Sequence, residues 1–245
     1  MKILAIDSSG LVASAAIWEG DPGEHGSILA LSSTDYKKTH SQTLLPMIDS
    51  ICKETSAKAE DFDAVAISAG PGSFTGLRIG SATAKAIAMA ADIPVIEVPT
   101  LSGLAFNLWG AGSYVCPMMD ARRNQVYTAL YSFEQGKLIT HITGEAVAVE
   151  EMIEKINSLG KETIFLGDGS DAYKQILESK VSIPFEFAPA HLNRQNAASV
   201  AVLGSMMYAD GLFVNADDHS PTYLRVSQAE REGAKNFDLR NMTAF

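Results

Sequence analysis

Ser68-Ala69-Gly70-Pro71-Gly72-Ser73-Phe74-Thr75-Gly76-Leu77-Arg78-Ile79-Gly80 decides how the rest of the chain is read. The apolar run Ala64 to Ile67 enters it as a buried strand. Gly70, Pro71 and Gly72 then make a tight turn, because glycine reaches positive φ and proline holds φ near −65°. Ser73 or Thr75 can cap the helix that follows, which the pattern carries to Ala91. Gly76, Gly80, Ala84 and Ala88 recur every four residues and share one face of it. Two glycines in one helix each cost about 1 kcal/mol relative to alanine, so a close packing partner is implied. That partner is either the helix's own sheet or a second subunit.

The loop is neither familiar phosphate loop. No Lys follows a glycine at the spacing of G-x-x-x-x-G-K-[ST], and Gly70, Gly72 and Gly76 give G-x-G-x-x-x-G, one residue too long for a dinucleotide fingerprint. A strand, glycine turn and helix can still offer N–H groups to an anion, with Arg78 beside them.

The 245 residues suffice for one large or two small domains, and 47% apolar with 20% charged residues is ordinary globular composition. No apolar run reaches a membrane-spanning length of about 18 residues. Met1 to Asp7 reads as a first strand rather than a signal peptide, so a cytoplasmic protein with no membrane partner is expected. The net charge of −10, with no basic cluster longer than Lys37-Lys38 or Arg122-Arg123, argues against nucleic-acid binding by the chain alone. Cys52 and Cys116, far apart, read as buried free thiols.

Strands are expected at Lys2 to Asp7, Val12 to Trp18, Ser27 to Tyr36, Ala64 to Ser68 and Pro94 to Val98. A helix from near His40 has Leu44, Leu45, Ile48, Ile51 and Cys52 on one face. Pro46 falls in its early turns, which moves its start or bends it. A short helix covers Leu101 to Trp109. The second half repeats the order: strands at Tyr114 to Met119, Gln125 to Phe133 and Lys137 to Val147, a helix at Val149 to Leu159, and a strand at Thr163 to Leu166. Then come Gly167-Asp168-Gly169, a helix at Asp171 to Glu178, a strand at Phe185 to Ala188, and a helix at Asn193 to Ala209. The tail from Pro221 is irregular and is polar after Arg225. Three hairpin-linked strands followed by α-β-α, twice over, give two mixed sheets flanked by helices with a cleft between them. The lobes are expected at residues 1–103 and 104–245, with the helix near 193–211 packing back on the first.

Several of these segments resemble the TsaB (YeaZ) family. They are Ile3-Leu4-Ala5-Ile6-Asp7-Ser8-Ser9, the Gly70 to Arg78 loop, Met119-Asp120-Ala121-Arg122, Gly167-Asp168-Gly169 and Pro221-Thr222-Tyr223-Leu224-Arg225. The resemblance implies two tandem ribonuclease-H-like lobes of the actin, Hsp70 and sugar-kinase superfamily. It implies a scaffold or activating subunit for TsaD, which transfers threonylcarbamoyl to the adenosine next to the anticodon of tRNAs reading codons that start with A. TsaE is an accessory ATPase, and a separate synthase makes the threonylcarbamoyl-AMP. By this resemblance the chain pairs with TsaD and with itself through its first lobe, and meets tRNA only within the complex.

For the catalyst itself the resemblance calls for an H-x-x-x-H metal pair after the fifth strand. Here that segment is Pro99-Thr100-Leu101-Ser102-Gly103-Leu104, and His25, His40, His141, His191 and His219 form no such pair. Metal-dependent transfer and peptidase activity are therefore disfavoured. The expectation is no catalytic residue, no metal site and no cofactor required by this chain, with ATP and metal belonging to the partners. The alternative is an ATP-binding phosphotransferase or ATPase of the same superfamily. Asp7, Gly70, Gly72, Arg78, Gly167 and Gly169 are then the weak candidates for nucleotide or anion contact. The turns Ser8-Ser9-Gly10 and Ala121 to Asn124 are poor in the glycine that phosphates need. Leu44, Leu45, Ile48, Gly76, Gly80 and Ala84 are the expected partner contacts, so Gly80→Leu is expected to weaken pairing in a folded monomer.

Overall fold

A computed structural model describes residues 1–36 and 39–225 of the chain. Lys37 and Lys38 and the stretch after Arg225 lie outside the described residues. The first lobe holds β1 (Lys2–Asp7), β2 (Ala13–Gly20), β3 (Gly26–Thr34), α1 (His40–Thr55), β4 (Ala64–Gly70), α2 (Phe74–Ala91), β5 (Val95–Pro99) and α3 (Thr100–Ala105). Its sheet runs β3-β2-β1-β4-β5. The hairpins are antiparallel, and β1, β4 and β5 are parallel, since α2 carries the chain back between β4 and β5. The second lobe holds β6 (Tyr114–Asp120), β7 (Gln125–Glu134), β8 (Lys137–Ala148), α4 (Val149–Leu159), β9 (Thr163–Leu166), α5 (Asp168–Ala172), α6 (Lys174–Lys180), β10 (Phe185–Phe187) and α7 (Ala197–Ala209). Its sheet runs β8-β7-β6-β9-β10, the same order as the first.

β1 is apolar at every position from Ile3 to Ile6 because helices cover both faces of its sheet. Leu4, Ile6, Val65 and Ile67 pack with Leu44, Ile48, Ile51 and Ala84 of α1 and α2. Ile3, Ala5, Ala66, Ile96 and Val98 pack with Ala197, Val200 and Ala201 of α7, so the last helix serves the first sheet. Among the described residues no helix is long and apolar enough to cross a membrane. Cys116 is a fully buried free thiol, and burial pushes its pKa up to about 12; Cys52 is free and half-buried.

α1 keeps the expected start, and two later elements differ from the sequence expectation. α1 does begin at His40, with Pro46 inside it. Pro46 is the seventh residue, so one bond is lost beyond those the first turn leaves unpaired, and the buried row Leu44, Ile48 and Ile51 holds the helix on the sheet. The helix expected over Asp171 to Glu178 is two, α5 and α6, broken at Tyr173, whose hydroxyl donates to Asp120 Oδ1 at 3.1 Å. α7 starts at Ala197 rather than Asn193. The Asn196 side chain caps it by accepting from the Ala198 N–H at 2.9 Å, while Asn193 serves the Gly167 turn instead.

Candidate functional site

β4 ends at Gly70, and Ser73 caps α2 by accepting from the Gly76 N–H at 3.3 Å. The glycines then face the turn after β1. The Ser73 N–H donates to the Ser9 carbonyl at 2.7 Å, and the Ser8 hydroxyl donates to the Gly76 carbonyl at 2.9 Å. A Cβ on Gly72 would meet the Ser9 carbonyl oxygen, one on Gly76 the Ser8 carbonyl oxygen, and one on Gly80 the Ser8 hydroxyl with Ile67 at 3.1 Å. The small-residue face is pressed against its own lobe.

This corrects the partner set. Gly76, Gly80 and Ala84 are buried in the lobe, as are Leu44 and Ile48, because α1 and α2 spend those faces on the sheet. Only Leu45 of the six stands out, 58% exposed. Gly80→Leu is accordingly a lesion of the fold, not of an interface.

Asp7 is also spent internally. It is buried; its Oδ1 accepts from the Ser9 N–H at 2.9 Å and the Ser9 hydroxyl at 2.6 Å, and its Oδ2 from the Ser68 hydroxyl at 2.5 Å. Burial raises its pKa above the ordinary 3.8, against the lowering effect of the Ser68 and Ser9 hydrogen bonds. The folded state therefore holds this proton to higher pH than the unfolded chain does. The associated stability is present in full below 3.8 and is lost as pH rises through the folded value. Asp7→Asn, which keeps one acceptor and cannot ionise, should lose less stability than the parent between pH 4 and 8. Asp7→Ala, which leaves buried donors unpaired, should cost about 3 kcal/mol at low pH, and less as pH rises because the variant cannot ionise. Urea unfolding across that pH range measures both.

The two lobes face each other across a cleft of about 960 Å³. Ser9, His40 and Phe74 line its first-lobe wall, and Asp120, Arg122 and Asp168 its second. The β6–β7 turn places Arg122, Arg123 and Asn124 in succession at φ +65°, +59° and +56°. Such values are uncommon outside glycine, and Asp120 holds the turn by accepting the Arg122 N–H at 2.8 Å and pairing with its guanidinium at 3.2 Å. Gly167, at φ +99°, and Gly169 lie so close to Met118 that neither position admits a side chain, which makes Gly167-Asp168-Gly169 a strand-to-helix turn packed on β6. Between them only Asp168 lines the cleft. Burial raises its pKa, and its Oδ1 is buried without a hydrogen-bond partner.

A strap closes one end of the cleft. Val214 bridges Val95 of β5, and His219 Nδ1 lies 2.6 Å from Glu97. The Thr222 N–H donates to the Ala69 carbonyl at 2.7 Å, and a Cβ on Gly70 would land on the Thr222 carbonyl oxygen. Tyr223 packs on Phe74, ring centroids 5.0 Å apart, with the Arg78 guanidinium over the same ring at 4.0 Å. Arg225 crosses to the second lobe and donates to the Ala121 carbonyl at 2.9 Å. Phe74, Tyr223 and Arg225 are not among the site residues the sequence marks; the signal for the last two is the Pro221 to Arg225 segment itself. Of the nucleotide candidates, Gly70 and Gly72 abut the strap and Ser9, Asp7 accepts from Ser9, Arg78 lies over Phe74, and Gly167 and Gly169 abut β6; Gly72 alone of the six lines the cleft. Among the described residues no group of three or more His, Cys, Asp and Glu is placed to hold a metal ion.

Two lobes with one strand order, facing each other across a cleft, define the ribonuclease-H-like, two-lobed class of actin, Hsp70 and the sugar kinases. A family model described as TsaD, tRNA N6-adenosine threonylcarbamoyltransferase, matches residues 29–232. The chain is 32% identical over 232 residues to the tRNA threonylcarbamoyladenosine biosynthesis protein TsaB of Bacillus subtilis (strain 168), covering 94% of this chain and 96% of that one. It is 29% identical to the TsaB of Escherichia coli (strain K12), covering 92% and 95%. The solved structure of YeaZ from Pseudomonas aeruginosa superposes with a TM-score of 0.74 at 26% identity, covering 91% of this chain and 99% of that one. The chain belongs to the TsaB (YeaZ) family.

Proposed function

We propose that this chain is a noncatalytic subunit that scaffolds and activates TsaD in threonylcarbamoyl transfer to the adenosine next to the anticodon of tRNAs reading codons that start with A. The observation that carries this reading is the fate of Asp7 and the glycine turn. Both are consumed in joining β1, β4 and α2, where a kinase-like relative would turn them toward a metal nucleotide. The histidines are also engaged apart from one another, His40 on the Gly10 carbonyl, His141 on Ser132 and His219 on Glu97. ATP and metal then belong to TsaD and TsaE. The pairing face for TsaD, or for a second copy, is the outer side of α1 and α2, where Leu45 and Met89 are 58% and 56% exposed and Ala82 and Ala86 let a partner helix approach.

The test is transfer to tRNA by TsaD, TsaE and the synthase of the same organism, with and without this chain. Product should form at a useful rate only when the chain is present, and Asp7→Asn should support it as the parent does. Transfer that is indifferent to the chain would sink the reading. The rival, an ATP-using phosphotransferase, draws on one observation, the unpartnered Asp168 Oδ1 beside the cleft. It requires turnover of ATP by the isolated chain.

A further inference from the structure

The arginines are not spread over the molecule. All five among the described residues, Arg78, Arg122, Arg123, Arg194 and Arg225, stand at the cleft or on elements that frame it. Arg194 is tied to Asp35 and Asp171, at 3.3 and 2.7 Å. Among the described residues Arg78, Arg123 and Arg225 have no carboxylate partner, and Arg122, although paired with Asp120, leaves 82% of its side chain exposed. Most lysines elsewhere are spent on neighbouring acids, Lys53 on Asp49 and Lys155 on Glu145 and Glu151 among them, while Lys85 donates to the Asp217 and His219 carbonyls and Lys161 lies over the Tyr114 ring. In a chain of net charge −10, the arginines without a carboxylate partner among the described residues are thus gathered along one rim.

That rim is also interleaved with aromatic rings. Arg78 lies over Phe74, Phe74 packs on Tyr223, Tyr223 leads through Leu224 to Arg225, and Arg225 reaches the Ala121 carbonyl beside Arg122 and Arg123. Tyr223 is 40% exposed and Leu224 37%. Guanidinium forks grip phosphate oxygens, and exposed ring faces stack bases without regard to sequence. The cleft floor has the opposite character. Asp35 and Asp120 line it tied to Arg194 and Arg122, and Asp168 lines it with no ion pair among the described residues, so the interior offers a phosphate no free cation.

We infer that the rim from Phe74 and Tyr223 to Arg122 and Arg123 is a ledge for single-stranded RNA, contacting the backbone of the tRNA loop that carries the target adenosine. The inference rests on the proposed function for the identity of the RNA. The ledge is short and the rest of the surface acidic, so it adds to a partner's grip on tRNA and binds weakly by itself.

The test uses the complex of the full chain with TsaD and unmodified tRNA, with retention on filters measured over a salt series. Arg122→Gln with Arg123→Gln should weaken tRNA binding about tenfold and flatten the log–log salt dependence by about one unit, at a slope of roughly 0.7 per phosphate contact on a single strand. Arg122→Lys with Arg123→Lys should keep most of the affinity and the slope. Tyr223→Ala should weaken binding with the slope unchanged. Melting temperature should stay parental in both arginine pairs, and affinity for TsaD in all three variants. Unchanged tRNA binding in an intact complex overturns the ledge. So does equal loss in the Gln and Lys pairs, which marks a structural role for the turn, and so does loss of ATP binding in place of tRNA binding, which assigns the phosphates to a free nucleotide. A complex that holds tRNA no better than TsaD alone overturns the ledge whatever transfer does. Arginine-dependent tRNA binding together with transfer indifferent to the chain leaves the ledge standing and removes the proposed function. A chain that neither joins TsaD nor retains tRNA overturns both.

Discussion

Gly76→Ala should cost the protein about 3 kcal/mol, and Gly76→Val should leave no folded protein to purify. Helix propensity alone points the other way, since alanine in the first turns of α2 would gain about 1 kcal/mol over glycine. Space decides the sign. The added carbon would land on the carbonyl oxygen of Ser8, which belongs to the backbone just after β1 and cannot swing aside like a side chain. Ser8 is buried, and its hydroxyl already donates to the Gly76 carbonyl. Relief needs a shift of α2 along Ile67 and Leu4, against a close-packed core, and overpacking of that kind costs about 1–3 kcal/mol or more. Two branches, as in valine, remove any position of the helix that avoids Ser8. Gly80→Leu belongs to the same class, against Ser8 and Ile67. Thermal unfolding followed by circular dichroism reads Gly76→Ala and Gly80→Leu, and the yield of soluble protein reads Gly76→Val; a Gly76→Ala protein as stable as the parent would mean that α2 does not ride on Ser8.

The second large effect is expected at Gly70→Ala. Its φ of +124° lies where a residue with a Cβ is strained by about 1–3 kcal/mol, and the new methyl would also meet the Thr222 carbonyl oxygen. The β4 side of that contact is buried in the sheet, whereas Thr222 is exposed and tied by a single backbone bond to Ala69. The strap should therefore give way first. The expected result is release of Ser220 to Arg225, seen as faster proteolysis between His219 and Arg225 and faster hydrogen exchange at Thr222, with a loss of about 2–4 kcal/mol in global stability. The lobe cores should persist, so the melt should remain cooperative. Parental proteolysis in a folded Gly70→Ala protein would show that the strap is held by contacts other than the glycine turn.

Local signals carried most of the fold. The buried runs of β1 and β4, the Gly70 to Gly72 turn, and the matching order of the two halves gave two mixed sheets with their strands in place. The errors share a cause. Periodicity tells that Leu44, Ile48 and Ala84 lie on one side of a helix, but not whether that side meets a sheet or a partner; here the sheet takes it. In the same way Asn193 looked like the start of α7 because nothing local shows that its side chain would accept from Gly167, 26 residues earlier. The cleft was least legible. Its edge depends on Phe74 meeting Tyr223 and Arg225 meeting Ala121, pairs separated by more than a hundred residues, and no spacing rule reaches that far.

The return of α7 to the first sheet has a consequence for synthesis. Ile3, Ala5, Ala66, Ile96 and Val98 form a finished apolar face as soon as β5 leaves the ribosome, but the helix that covers it begins about a hundred residues later, at Ala197. At roughly 5–20 residues per second that face waits uncovered for about 5–20 seconds. Through that interval the nascent chain depends on a chaperone, or on the emerging second lobe, to stay out of aggregates, and a truncated chain ending before α7 never escapes it.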